Sequence, residues 1–549
     1  MDSSLREKRH WRLRVIDPAF PENNIYRKQA KQTVSLGPVM VATVAKEWCH
    51  WLGSAEVINE NNYRSIRRRA PVDENGMPDH LILQKDVPAD FIGISCCMST
   101  ATPRALELIR FYKSLPAELR PKAILVGGWH AMDNAEEFLQ AGADVVVHGE
   151  IEPIVVDLMT ALRDDKSLEN IHGISYRVDN QIKRNSPDEI YIPQEMMDSL
   201  PHPNFNLVRY AIVSLYPAGR TRGCSGKCTF CRVKCQPRWT SPERFFEQIM
   251  ILASKGAKHI FITDDRSEED REGFIKFLQL CAQARQEGRL RIGMTVQARL
   301  SAAQHPDLLK LMWDAGINNV CIGYESPIPI QLAAMKKPIR PQEMLNWTKI
   351  WKSYGFAIHM MLIFGYPLSP EARRRLQEQG KSFRMSAKEM AQIFWKFIKQ
   401  ANPHTLQVLM YTPLPGTEDR KFLEDEGRLL PLGWECYDGM LLAFVPDEGI
   451  DPEELQKEYI KLMRKFYAFR YLWPLGFVPL IIHAINVGFV TISYPFVRPI
   501  IGSRPWSRIW RNSLRRFGAN IIVLAWLKQF RQLHFTEKLR SLISRKKII

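Results

Sequence analysis

"RTRGCSGKCTFCRVKC", residues 220–235, gathers four of the chain's ten cysteines into sixteen residues, with Arg222 before them and Lys227, Arg232 and Lys234 in the gaps. Thiols this dense serve a structural zinc knot, a disulfide cluster or an iron–sulfur cluster. The charged start "MDSSLREKRHWRLRV" (1–15) has no apolar h-region, so the expectation is a cytoplasmic, reducing compartment. There, clustered cysteines serve as metal ligands far more than as disulfides. Zinc asks for four ligands, typically in two separated pairs, and Cys235 could complete an all-cysteine set. Soft thiolates suit iron–sulfur clusters equally well. Cys224, Cys228 and Cys231, spaced C-x3-C-x2-C, would then act as a set, with Cys235 an extra thiol beside them.

Outward from the cysteines, the chain reads as two series of strands and helices. Its 549 residues suffice for two or three domains, and 45% hydrophobic with 25% charged residues is globular composition, which excludes a disordered chain. Residues 1–165 carry short apolar runs at 13–17, 55–59, 91–95, 123–127 and 144–148, separated by helical stretches such as 35–48. Continuous apolarity points to buried parallel strands in a doubly wound sheet. Ligands then sit at the carboxyl ends of the strands, around Ser95–Thr100, Gly127–His130 and Gly149–Glu152. Residues 166–205 read as a Pro- and Asp-rich connector with one strand at "GISYRV". A second series follows over 206–445, with candidate strands at 259–265, 291–299, 318–326, 357–367 and 405–415. That pattern predicts a barrel or partial barrel with chemistry at the C-terminal strand ends.

Residues 446–549 form a third, mainly helical region. From Arg498 to Ile549 there are thirteen Lys/Arg against Glu537 alone, a net of +12 out of the chain's +17. Residues 471–497 lack Lys, Arg, Asp and Glu altogether, but Pro474, Pro479 and Pro495 leave only fifteen uninterrupted residues, short of the roughly 20 a membrane span needs. Trp506, Trp510 and Trp526 lie among basic and aliphatic residues, the composition of helices in a bilayer interface. The expectation is attachment to an anionic membrane surface, making the protein peripheral to the cytoplasmic membrane.

The cysteine spacing, with Arg222 and Gly223 before it and Phe230 inside it, resembles the radical S-adenosylmethionine (SAM) superfamily. In that family three thiolates hold a [4Fe–4S] cluster, one iron stays open to SAM, and an electron from the cluster cleaves SAM to a 5′-deoxyadenosyl radical. The resemblance implies that Cys224, Cys228 and Cys231 are the catalytic metal ligands. It also implies that Asp264, Gln297, Arg299, Glu325, Ser326 and Phe230 contact SAM, with "IFGYP" (363–367) near its adenine. Asp264 and Asp265 could instead cap the next helix, and Glu325 could sit in a surface ion pair.

The N-terminal sheet resembles the cobalamin-binding domain of one large radical SAM subfamily, typified by hopanoid C-methylases and the anaerobic Mg-protoporphyrin cyclase. On that resemblance Ser95, Gly127, Gly128, Trp129, His130, Gly149 and Glu150 would contact cobalamin. No Asp-x-His-x-x-Gly motif is present, so base-off cobalamin without a histidine ligand is implied. The fold expected is therefore α/β: a doubly wound Rossmann-like domain, then a radical SAM partial (β/α) barrel, then the basic helical region.

The function implied is radical C-methylation, or another radical C–H functionalisation, of a lipid or isoprenoid substrate, served by a reductase as electron donor. Two rivals stand beside it. One is a radical SAM RNA-modifying methylthiotransferase, but its second cysteine triad is poorly matched by Cys49, Cys96 and Cys97, which disfavours nucleic acid. The other is a membrane-associated metal or cobalamin sensor with zinc at the cysteines.

Overall fold

The computed structural model describes residues 10–467, apart from 23, 65–69, 179–180 and 381–383, and residue 523 besides. Expectations about the tail from about 470 onward lie outside the described residues. The chain divides into two units: Met1–Gly223 with Cys235–Thr263 and Gly433–Asp438, and Cys224–Lys234 with Asp264–Leu432 and Gly439–Ile549.

In the first unit, β1 (Trp11–Asp17), β2 (Leu52–Asn59), β3 (Phe91–Ser95), β4 (Ala123–Gly127) and β5 (Val145–Val147) run parallel in the order β5-β4-β3-β1-β2. The stretch read as a connector supplies an antiparallel hairpin, β6 (Ile174–Val178) and β7 (Gln181–Arg184), on the β5 edge. At the other edge, β8 (Val208–Arg209) pairs with β2. The sheet follows from the sequence because successive residues point to opposite faces and both faces are apolar. Leu13, Val15, Phe91, Leu125, Val145 and Val147 join one core with helices Leu36–Trp48 and Val155–Arg163. Ile16, Ile92, Ile94, Ile124, Val126 and Val146 join the other with helices Thr102–Ser114 and Ala135–Ala141. The order reverses between β1 and β3, which opens a crevice at their carboxyl ends.

The same unit holds the parallel pair β9 (Tyr216–Ala218) and β12 (His259–Ile262), and the antiparallel pair β10 (Thr221–Arg222) and β11 (Arg238–Trp239). In the second unit, β13 (Gly293–Gln297), β14 (Ile317–Glu325), β15 (Ala357–Phe364) and β16 (Thr405–Met410) run parallel, each bonded to the next. Here alternation separates two unlike faces. Val296, Ile322, Met360, Phe364 and Val408 are buried, whereas the residues between them are partly exposed. On that more polar face Gln297, Cys321, His359 and Thr405 lie in one row across the four strands. His359 is occupied within the row, its Nδ1 lying 2.8 Å from Thr405 Oγ1.

Glu60 ties three segments of the first unit together. Its buried carboxylate accepts from the Ala19 N–H at 2.8 Å, Arg104 Nη2 at 2.7 Å and His80 Nε2 at 3.0 Å. Burial alone would raise its pKa, but the bonds from His80 and Arg104 outweigh burial and hold it at about 2. The folded pKa lies below the unfolded value, so the stabilisation is full above the ordinary carboxylate range and is lost as pH falls toward 2. Glu60→Gln should lower unfolding free energy by roughly 3 kcal/mol at neutral pH. Urea unfolding at pH 7 and pH 3 checks this: the gap between variant and wild type should narrow markedly at pH 3.

Candidate active site

At the carboxyl ends of β1, β3, β4 and β5 the first unit encloses a cavity of about 320 Å³. Its lining includes Leu36, Gly37, Pro38, Ser95, Cys97, Gly127, Gly128, Trp129, Gly149, Glu150, Glu152 and Arg222. The wall at Leu36–Pro38 is fastened by Asp17, whose Oδ2 accepts from Ser35 Oγ at 2.6 Å and from Asn59 Nδ2 at 2.7 Å. At Gly37 and Gly127 a Cβ would meet nothing within 4 Å, so open space adjoins both glycines. Gly128 differs: with φ at +109°, a Cβ would lie 2.7 Å from the Cys96 carbonyl carbon. Only glycine fits that approach.

Two of the cavity's acids also hold the strands that flank the cysteines. Arg222 Nη2 donates to Glu152 Oε1 at 2.7 Å, and Arg238 Nη1 donates to Glu150 Oε2 at 2.9 Å. Arg222 and Arg238 face each other in the β10–β11 ladder. Burial pushes the Glu152 carboxyl up, but Arg222 outweighs it by charge and hydrogen bond and holds it below the usual carboxylate range.

In the second unit, Cys224, Cys228 and Cys231 are half-buried free thiols on one loop. The Gly226 N–H donates to Cys224 Sγ at 3.4 Å, and a Cβ on Gly226 would lie 3.2 Å from Cys224 Sγ and 4.0 Å from Cys228 Sγ. Burial raises the pKa of Cys228, with Lys337 and Arg299 opposing it and Glu325 reinforcing it. Burial likewise pushes Cys231 up to about 11, with Asp265 contributing. Glu269 steadies the loop by accepting from the Ser225 N–H at 2.8 Å. Among the described residues no three His, Cys, Asp or Glu side chains are grouped around a single-ion position. A zinc ion would need its sulfurs about 2.3 Å from one centre. Three free, soft thiols on one loop fit the donor set of an iron–sulfur cluster.

The strand-end groups surround this loop unevenly. Gln297 donates to the Asp264 carbonyl at 3.0 Å, and the Arg299 N–H donates to Glu268 at 2.9 Å. Asp264 is buried, whereas its neighbour Asp265 is exposed. Neither caps the following helix, Arg271–Gln286, whose N-cap is Asp270. Glu325 is buried with φ at +60°, and the Ser326 N–H bonds back to the Tyr324 carbonyl, closing a three-residue turn. A glutamate held in that conformation is strained, and such strain gathers at functional sites. Its carboxylate accepts from Lys337, which also donates to the Gly323 carbonyl at 2.9 Å.

Two expected ligand contacts are engaged elsewhere. The Ser326 hydroxyl donates to Gln331 at 2.6 Å and accepts from the Ile328 N–H, so it shapes the turn. His130 lies outside the cavity lining, its Nδ1 2.9 Å from Ser99 Oγ and its ring edge-on to Trp434. The remaining cavity residues expected from sequence do line the cavity. Sequence reasoning did not assign roles to Lys337, Glu152 or Glu269. Glu152 had a signal in its strand-end position, while Lys337 had none.

The first unit thus offers a glycine-lined crevice on a doubly wound sheet, and the second a C-x3-C-x2-C loop of free thiols, as candidate cofactor sites. Residues 220–379 match the model of the radical SAM superfamily. An uncharacterised methyltransferase of Pyrococcus horikoshii is 28% identical over 411 residues, 72% of this chain and 81% of the relative. The hopanoid C-2 methylase of Rhodopseudomonas palustris is 21% identical over 262 residues, 46% of each chain. The fold is that of OxsB, a cobalamin-dependent SAM radical enzyme solved with aqua-cobalamin and SAM, at a TM-score of 0.60, 14% identity, and coverage of 97% of this chain and 82% of the other. It is also that of TsrM from Kitasatospora setae, a radical SAM methyltransferase solved with tryptophan substrate and a SAM analogue, at a TM-score of 0.57, 14% identity and 77% coverage of each.

Removing one partner of a buried ion pair leaves an uncompensated charge. Glu152→Ala should therefore destabilise the protein by about 3–5 kcal/mol, and Glu152→Met with Arg222→Met should recover most of that loss. Urea midpoints of the single and double variants measure both effects.

Proposed function

We propose that the protein is a cobalamin-dependent radical SAM enzyme that methylates, or otherwise functionalises, an unactivated C–H carbon of a lipid or isoprenoid substrate. The observation that carries this reading is the pairing of free Cys224, Cys228 and Cys231 with a separate open cavity at a strand-order reversal. When bound, the cluster supplies the electron that cleaves SAM and the cobalamin carries the methyl group. Cys224, Cys228 and Cys231 would hold the cluster, while Glu325, held by Lys337, keeps a carboxylate beside Cys228. The apolar crevice would hold cobalamin, with Gly37 and Gly127 leaving room along its wall. The chain has no Asp-x-His-x-x-Gly motif, the ground for proposing base-off binding without an imidazole ligand.

Anaerobic reconstitution tests the reading. The wild-type chain should gain the broad iron–sulfur absorption and cleave SAM, and Cys224→Ala, Cys228→Ala or Cys231→Ala should abolish both. Cys235→Ala should keep the cluster and at least part of the activity. In the cobalt(II) form, electron paramagnetic resonance should lack axial-nitrogen splitting. Loss of metal from Cys235→Ala alone, with stoichiometric zinc in the wild type, would overturn the assignment.

The lipid substrate rests on the tail. A charge-free run at 471–497 followed by a net +12 over residues 498–549 suits an anionic membrane surface, where each basic residue contributes about 1 kcal/mol. The full chain should float with anionic liposomes at low salt, while a truncation after Phe469 should remain in the lower fraction. If the full chain ignores the vesicles, the lipid-substrate reading loses its support.

A further inference from the structure

The loop between the second and third cysteines is held from a helix well outside the superfamily match. Thr229 is buried, and its hydroxyl lies 2.7 Å from the Tyr366 hydroxyl. Tyr366 in turn donates to Asp419 Oδ2 at 2.6 Å, and Asp419 is itself buried. The Thr229 hydroxyl also lies 3.4 Å from the Ala334 carbonyl, a longer contact than that to Tyr366. An ionised carboxylate only accepts, so Tyr366 spends its one O–H on Asp419 and can only accept from Thr229. Phe230, the next residue of the loop, stands edge-on to the Tyr366 ring at 6.5 Å.

Asp419 sits in the first turn of helix Glu418–Asp425, whose N-cap is Thr417. Its neighbour Glu418 reaches the far end of the same loop through Lys234 at 2.7 Å, and Lys336 at 2.8 Å. One helical turn thus grips the cysteine loop at two points. Residues 417–419 lie beyond residue 379, where the superfamily match ends.

We propose that Asp419, acting through Tyr366, is a positioning residue that fixes Thr229 and Phe230 between Cys228 and Cys231 and so sets how the cluster loop receives SAM. This rests on the radical SAM reading above. The three thiols are free to bind metal without this chain of hydroxyls. Losing it therefore alters the presentation of SAM more than the uptake of iron.

The test uses the full chain, reconstituted anaerobically, with SAM and dithionite as probes and 5′-deoxyadenosine as product. Thr229→Val keeps the side chain's shape and removes the donor, while Thr229→Ser restores the donor. Thr229→Val and Tyr366→Phe should keep wild-type iron content but raise KM for SAM about tenfold, as expected for one lost buried hydrogen bond. Both should weaken the SAM-induced change in the reduced cluster's paramagnetic resonance spectrum, and Thr229→Ser should stay within about twofold of wild type. If Tyr366→Phe does not fold, the Thr229 pair decides alone. A wild-type KM and spectrum in Thr229→Val, or equal impairment in Thr229→Ser, would overturn the proposal. A wild-type chain that takes up no iron overturns the radical SAM reading itself, and this inference with it.

Discussion

Glu150 and Glu152 leave the end of β5 in a single turn and meet Arg222 and Arg238, which stand opposite each other in β10 and β11. Residues 223–237 run between those two arginines in the sequence. Arg238 is also satisfied by the Ile192 carbonyl at 2.9 Å, and Glu150 by the Ile192 N–H at 2.8 Å. A buried ion pair contributes little net stability compared with apolar packing, but it is costly to break and defines a geometry. Here it fixes the ends of a loop rich in Gly, Lys and Cys, whose own residues have little apolar surface to bury. Two of the same side chains, Glu152 and Arg222, line the cavity, so within this unit the ion pairs that hold β10 and β11 also form the cavity wall.

The second unit meets a different constraint. Its four parallel strands must be apolar toward the helices and chemically useful on the other face, and period-two alternation supplies both. The face packed on helices carries Ile322, Met360, Phe364 and Val408, all fully buried. The opposite face carries Gln297, Cys321 and His359 in register. At the end of β14 the alternation is interrupted by a register shift between Gly323 and Glu325. That irregularity, with the positive φ at Glu325, turns the carboxylate to Lys337. A strained turn at the end of a strand aims a side chain where regular pleating could not.

Much of this was legible in the sequence because it depends on local pattern. Apolar runs such as "FIGIS" and "AILVG" specify strands buried on both faces, and their strand-end glycines specify the crevice. The cysteine spacing and Phe230 single out the candidate cluster loop through their resemblance to the radical SAM pattern. What was not legible depends on pairing between distant segments. Within the connector "GISYRV" reads as a strand and is β6, but its partner β7, "QIKR", does not, because it is polar and all four of its residues are exposed. Asp419 in "GTEDR" looks like an ordinary first-turn acid until Tyr366, 53 residues away in sequence, donates to it. Ser326 looked like a ligand because it ends a strand, but its hydroxyl serves Gln331 five residues on. Strand-end position locates a neighbourhood; which side chain faces outward is settled by turns that pattern alone does not reveal.

The electrostatics around Cys228 follow from the same arrangement. Burial favours neutral thiols at Cys228 and Cys231, whereas thiolate ligation of the proposed cluster would put negative charge into the same half-buried loop. Loading it must release protons, so metal affinity should rise with pH. Lys337 and Arg299 lower the cost of that charge at Cys228, and Glu325 raises it. Without Lys337, Glu325 would be a buried carboxylate beside an anionic cluster, an unfavourable like-charge pair. With Lys337 bonded to both Glu325 and the Gly323 carbonyl, the site keeps an acceptor at the strand end without imposing its full charge on the sulfurs. SAM carries a cationic sulfonium and amino group together with a carboxylate. On the proposed reading, Glu325 tempered by Lys337 and the Arg299 guanidinium close to Gly226 of the cysteine loop would meet those two signs.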